Sequence, residues 1–287
     1  MKLIIRLSLV LFLSGCSNTG GKDESKNQDT TKVSNPEATG PAGEGDSSNI
    51  AFGFSNESGN QILITSEDSL ANPSKFSATI SKDGKIAETS YNNQKVATKD
   101  DNGRQIYYNF SNSGGYLFDV KTGTVSNENS VILFSKDFLA GKKFIELNAI
   151  ETKDIPGVFN ERVEKDKGRK VIKDKVLVHL DKDRSIYLFE FTIKADSALV
   201  SLALITPDKI IYKDFPAKVD ATSTWRVDDG GDFGFDYYKV LAVFEKNNSL
   251  GLITDWLGTE GYSIEYMKED GQQFKEVKKG YRYTAAE

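Results

Sequence analysis

Cysteine and histidine are almost absent from this chain of 287 residues, which contains one of each, Cys16 and His179. A single cysteine cannot form an intrachain disulfide, so the folded part of the chain depends on its apolar core. Catalytic zinc sites built on two or three histidines are excluded, because the ligands are missing. His179 lies in a segment of alternating apolar residues, where a lone histidine is typically packed or on the surface and is not catalytic.

Three motifs of common enzyme classes are also missing. The chain has no G-x-S-x-G elbow, no G-x-x-x-x-G-K-[ST] loop and no G-x-G-x-x-G turn. Serine hydrolase, P-loop and dinucleotide-dependent functions therefore have no support. Hydrolysis by a pair of carboxylates stays open, because it needs only two of the 42 acidic residues at a set distance.

The apolar run at the N-terminus is too short to span a bilayer. Lys2 and Arg6 precede residues 7–13, which are apolar except for Ser8, whereas a spanning helix needs about 20 apolar residues. Basic, apolar and small residues in this order are typical of an export signal. The segment ends in Leu13-Ser14-Gly15-Cys16, which resembles the lipobox of bacterial lipoproteins.

This resemblance implies that residues 1–15 are removed and that Cys16 carries acyl chains that anchor the protein to a membrane. The alternative is an ordinary signal peptide followed by an incidental cysteine. A lipidated Cys16 leaves no thiol for nucleophilic catalysis. Because Ser17, and not an aspartate, follows the cysteine, the family pattern implies the outer membrane of the cell envelope if the host is Gram-negative.

The rest of the chain is acidic and begins with a polar segment. Residues 16–287 contain 35 basic and 42 acidic side chains, a net charge of −7. Nucleic acid is not expected as a partner, because phosphate binding needs a concentrated positive surface. Residues 17–48 contain no aromatic residue and one large aliphatic, Val33. Residues 16–48 are therefore predicted to form a lipidated, disordered tether.

From residue 49 onward, short apolar and β-branched runs alternate with Gly/Asn/Asp turns, which predicts an all-β fold of antiparallel sandwich or barrel-like sheets. The predicted strands cover residues 61–65, 76–80, 105–110, 131–134, 175–180, 185–193, 198–205, 209–215, 237–245, 250–256, 262–267 and 274–283. The polar stretch 151–175 predicts a boundary between two β modules, 49–154 and 155–287. The alternative is one continuous sandwich with a long loop that carries a short helix.

Residues 222–238 form the most distinctive polar cluster. Four aspartates lie there among three glycines and five aromatic residues: Asp228, Asp229, Asp232 and Asp236. Calcium takes several oxygen ligands on a sharply bending loop, so this loop is a candidate calcium site, and no other cofactor is expected. The spacing does not match an EF-hand loop, and a solvated β-turn is the alternative.

Two tryptophans and an arginine are candidate ligand-binding residues. Trp225 and Arg226 begin the same loop, and Trp256 lies in a neighbouring predicted strand. If both tryptophans are exposed at one end of the sheets, they form a platform for sugar rings or a protein partner. The alternative is that both fill the core.

The sequence thus predicts a membrane-anchored exported lipoprotein that binds a protein, an envelope component or a glycan without catalysis. Because fold alone does not fix function, two alternatives stay open. A carboxylate-based polysaccharide hydrolase would have a cleft with two carboxylates about 5–10 Å apart. A structural envelope lipoprotein would have neither such a cleft nor an aromatic patch.

Overall fold

The computed structural model describes residues 44–66, 68–147, 157–220, 224–225 and 232–284. Cys16 and most of the predicted tether lie outside these residues. The described chain is all-β, as the sequence predicts, and its folded body is one compact unit. It contains two β modules, a closed six-stranded barrel and a nine-stranded sheet.

The barrel is formed by the first six strands, and every neighbouring pair is antiparallel. They are β1 (Ile50–Ser55), β2 (Gln61–Thr65), β3 (Phe76–Ile80), β4 (Ile86–Lys95), β5 (Gly115–Val120) and β6 (Val131–Ser135). The order is β1-β2-β5-β4-β3-β6, and β6 closes the barrel on β1. The continuous apolar run of β6 is buried on both faces: Val131 and Leu133 pack with the barrel residues, whereas Ile132 and Phe134 face the second module.

The second module is one sheet of nine strands. They are β7 (Lys143–Ile145), β8 (Val171–His179), β9 (Ser185–Phe191), β10 (Ser197–Ile205), β11 (Ile210–Lys218), β12 (Tyr238–Lys246), β13 (Ser249–Leu257), β14 (Gly261–Asp270) and β15 (Gln273–Tyr283). The order is β7-β12-β13-β14-β15-β11-β10-β9-β8, and only β11 and β15 pair in parallel. The predicted hairpins β8–β9 and β10–β11 and the predicted meander β12 to β15 are confirmed. β7 precedes position 155 but pairs with β12.

A shared core joins the barrel to the nine-stranded sheet. Phe134 of β6 lies 5.3 Å from Phe244 of β12, measured between ring centroids. Phe138 follows β6 and lies 5.2 Å from Phe244 and 5.3 Å from Tyr266 of β14. All four rings are almost completely buried. Each module therefore has its own sheet and its own cluster of buried residues, and the two share this further cluster.

The helices are short. The α-helices are α1 (Glu44–Ser47), α2 (Lys136–Leu139) and α3 (Gly157–Lys167), and 3₁₀ turns cover Pro73–Lys75, Tyr107–Asn109 and Phe235–Tyr237. Ser135 caps α2, because its Oγ accepts a hydrogen bond from the Phe138 N–H at 3.1 Å. The polar stretch after residue 151 contains α3, as in the alternative interpretation of this stretch as a loop that carries a short helix. No helix in the described ranges is long and apolar enough to cross a membrane.

The predicted strand at residues 105–110 is wrong, because this segment forms the 3₁₀ turn Tyr107–Asn109. The Asn109 side chain, 2% exposed, donates hydrogen bonds to the Asp101 carboxylate at 2.7 Å and to the Arg104 carbonyl at 2.9 Å. Such local side-chain hydrogen bonds compete with pairing between strands. Phe110 then packs edge-on against Phe54 of the barrel.

Candidate functional site

Trp225 and Trp256 lie close together at one end of the core of the nine-stranded sheet. Both are partly buried, and each indole N–H donates a hydrogen bond to a backbone carbonyl, that of Phe215 for Trp225 and that of Phe233 for Trp256, both at 3.3 Å. Their rings meet through Phe233, which stacks on Trp256 at 4.5 Å and meets Trp225 edge-on at 5.9 Å. The two tryptophans therefore flank one buried ring and do not form an open platform of two rings. Arg226 lies outside the described residues.

The aspartate loop is described only in part. Asp228 and Asp229 lie outside the described residues, whereas Asp236 forms an ion pair with Lys175. The hydrogen bond from Lys175 lowers the pKa of the Asp236 carboxyl. In the part of the chain that the structure describes, no group of three or more His, Cys, Asp or Glu residues is placed to hold a metal ion. The calcium site stays a prediction.

Glu190 is an acidic neighbour of this loop that sequence reasoning missed. It lies on β9, where burial raises the pKa of its carboxyl; nearby Asp232 adds to this effect, and Lys173 opposes it. More than 40 positions separate Glu190 from Asp232, so only the sheet brings them together. No local sequence pattern could have identified the pair.

His179 is paired across its own hairpin. Its Nδ1 lies 2.7 Å from the Oγ of Ser185, the residue directly opposite on β9. This contact is a cross-strand pair of the kind that stabilises a sheet. It agrees with the interpretation of His179 as a packed residue.

An open groove lies where the barrel meets the nine-stranded sheet, with a volume of about 540 Å³. Its floor is mainly aliphatic and half-buried, with Ile80 from the barrel and Leu177, Val240 and Leu241 from the sheet. Both β modules contribute, so the groove exists only because the two are packed together. None of these residues was singled out from the sequence.

The rim of the groove is polar and mainly basic. Lys82 lies on the barrel side, and Lys175, Lys239 and Asp236 lie on the sheet side. The Lys239 ammonium reaches across the groove to the side-chain oxygen of Asn129 at 3.1 Å. Asp236 is the only carboxylate among the described residues that line the groove.

Two buried charged side chains of the nine-stranded sheet form hydrogen bonds with the barrel loop at residues 128–130, which forms one wall of this groove. The Asp255 carboxylate of β13 accepts hydrogen bonds from the Ser130 N–H at 3.2 Å and from its hydroxyl at 3.0 Å. The Arg282 guanidinium of β15 donates to the carbonyls of Glu128 at 2.7 Å and Asn129 at 3.3 Å. Burial raises the pKa of Asp255 although the charge of Arg282 opposes this. The wall is thus held in position before any ligand arrives.

Comparisons of the chain with protein-family models, with curated proteins and with solved structures found no match.

Proposed function

We propose that the protein is an exported, lipid-anchored binding protein and that the groove between its two β modules holds a segment of a partner protein. The anchor is the acylated Cys16, and residues 17–43 are the tether that separates the folded body from the membrane. The predicted tether is shortened here, because α1 (Glu44–Ser47) belongs to the folded body through the ion pairs of Asp46. This part of the proposal is supported by the lipobox and by the polar composition of the tether.

The groove is the observation that carries the proposal. Aliphatic floors with a few polar groups at the rim are typical of binding sites, because the floor supplies burial and the rim fixes orientation. The only aromatic residue of the described lining, Tyr238, is 3% exposed, so the groove offers little ring surface on which a sugar could stack. Lys82 and Lys239 make the rim basic on an otherwise acidic protein. A partner segment that is apolar on one side and acidic on the other is therefore complementary to the groove.

The groove does not favour a carboxylate-pair hydrolase. Such an enzyme needs two carboxyl groups about 5–10 Å apart on either side of the bond it cleaves. Asp236 supplies one carboxylate to the described lining, and its partner there is the Lys175 ammonium. This arrangement supports binding over catalysis.

Charge-reversal variants test the proposal. The chain carrying Cys16→Ser is assayed for saturable binding to proteins extracted from the host envelope and, separately, to its cell-wall glycan. The groove variant is Lys82→Glu with Lys239→Glu. The control is Lys121→Glu with Lys275→Glu, which makes the same charge change at lysines paired with Asp119 and Asp270 outside the groove.

We expect the groove variant to bind envelope protein at least about tenfold more weakly than the control, because its two new glutamates repel the acidic side of the partner segment. Equal binding by the two variants, or binding to glycan alone, would refute the protein-segment occupant. Release of reducing ends from the glycan that disappears in Asp236→Asn would support the hydrolase instead.

A further inference from the structure

Two lysines bind the carboxylate of Asp46 at the start of the described chain, and a third lies close enough to one of them to act on its charge. Lys142 Nζ lies 2.9 Å from one carboxylate oxygen of Asp46, and Lys268 Nζ lies 3.0 Å from the other. The Tyr266 hydroxyl also donates to the second oxygen, at 3.2 Å. The third lysine, Lys246, donates to the Ala140 carbonyl at 3.4 Å.

This lysine cluster, formed by Lys142, Lys246 and Lys268, is partly removed from water. The Lys142 side chain is 4% exposed, and its ammonium also bonds the Phe138 carbonyl at 2.6 Å and lies 3.9 Å from the Phe138 ring centre. Burial lowers the pKa of Lys142, and the charges of Lys246 and Lys268 lower it further although Asp46 opposes them. Two ammonium groups thus share the Asp46 carboxylate, and Lys246 adds a third positive charge near Lys142, so a further negative charge here is electrostatically favourable.

A cavity of about 480 Å³ opens beside the cluster. Its lining includes the three lysines and Asp46, with the further polar side chains of Asn247 and Ser249. The apolar side chains of Phe244 and Leu250 form part of its wall. An anionic group bound in this cavity would contact the lysine ammonium groups, and the apolar part of the same ligand would contact Phe244 and Leu250.

We propose that this cavity binds a phosphate-bearing group, held by Lys246 and Lys268, and that Asp46 is its internal competitor. The two oxygens of Asp46 already bridge Lys142 and Lys268 as two phosphate oxygens would. Lysine is a common point-charge ligand of phosphate, and charge-assisted hydrogen bonds of this kind are the strong ones. The site is separate from the groove, and the inference does not rest on the proposed function.

The same chemistry is offered by free phosphate compounds and by anionic lipid headgroups, so the test has two arms. The chain carrying Cys16→Ser is titrated calorimetrically with inorganic phosphate and glycerol 3-phosphate at constant ionic strength. It is also sedimented with vesicles of phosphatidylcholine, with and without phosphatidylglycerol. The variants are Lys246→Ala and Asp46→Asn, and Lys121→Ala is the matched control on an exposed barrel lysine.

Saturable binding in either arm identifies the source of the phosphate. In that arm, Lys246→Ala should weaken binding about tenfold, and Asp46→Asn should strengthen it by a similar factor because the competitor is removed. Lys246 is exposed, so its truncation should leave the melting temperature unchanged and the binding result interpretable. The proposal is overturned if neither probe binds, or if Lys121→Ala weakens binding as much as Lys246→Ala.

Discussion

Truncation of Phe138 tests how the barrel and the nine-stranded sheet are held together. Phe138 is fully buried, and its ring centre lies between 5.0 and 5.3 Å from those of Phe134, Phe244 and Tyr266. Phe138→Ala removes a ring that contacts both modules and leaves a cavity at their junction. A buried Phe→Ala change costs about 3–5 kcal/mol. For a domain of this size, that lowers the melting temperature by about 6–20 °C.

The assay follows unfolding with two probes at once. The only tryptophans, Trp225 and Trp256, belong to the second module, so their fluorescence reports the nine-stranded sheet. Far-ultraviolet circular dichroism reports both modules. Because the two modules share the buried cluster around Phe138, the two transitions should coincide in the natural chain and move together in Phe138→Ala. Tyr108→Ala, at a ring that is 68% exposed, is the control and should cost less than about 0.5 kcal/mol.

Two results would refute this reasoning. One is a loss of stability in Phe138→Ala no larger than that in Tyr108→Ala. The other is a split between the two probes in the natural chain, which would show that the modules unfold independently.

Three further predictions concern single sites. Cys16→Ser should move the protein from the membrane fraction to the soluble fraction and remove the mass of the acyl chains, as intact-mass spectrometry checks; membrane retention would contradict the anchor. Calcium at 100-fold saturation should stabilise the chain by about 2.7 kcal/mol in a thermal melt, and Asp228→Asn with Asp232→Asn should abolish the shift; no shift at millimolar calcium would reduce the loop to a turn. Burial would raise the pKa of Asp46, but the hydrogen bonds from Lys142 and Lys268 outweigh it and lower the pKa. The Asp46 carboxylate therefore stabilises the folded chain above its unfolded pKa of about 3.9, and this stabilisation is lost as the pH falls through its lower pKa in the folded chain. In urea unfolding, Asp46→Asn should lower the free energy of unfolding at pH 7 and leave it nearly unchanged in strong acid.

The strands that sequence patterns predicted are those with apolar alternation or continuous apolar runs between Gly/Asn/Asp turns. β6, β9, β10, β12 and β13 are examples. β4 was missed because its residues, 86–95, are mostly polar and include two adjacent asparagines. The segment 105–110 was predicted as a strand because its apolar content conceals the hydrogen bonds of Asn109.

The groove could not be predicted, because its lining comes from residues near 80, 130, 177 and 240 that no local pattern links. Barrel closure depends on the pairing of β1 with β6, about 80 positions apart, and the sheet depends on the parallel pair β11 and β15. Such pairings are fixed by the whole fold. Trp225 and Trp256 were grouped as candidate ligand-binding residues, but the sequence could not show that Phe233 lies between them.

Photo-cross-linking on intact cells tests the central claim, that the groove holds a partner. A photoreactive residue replaces the exposed Lys239 at the groove rim in one strain and the exposed Lys121 on the barrel surface in another. The account predicts a discrete protein adduct from position 239 that is absent from position 121. The same adducts from both positions, or none from position 239, would contradict it.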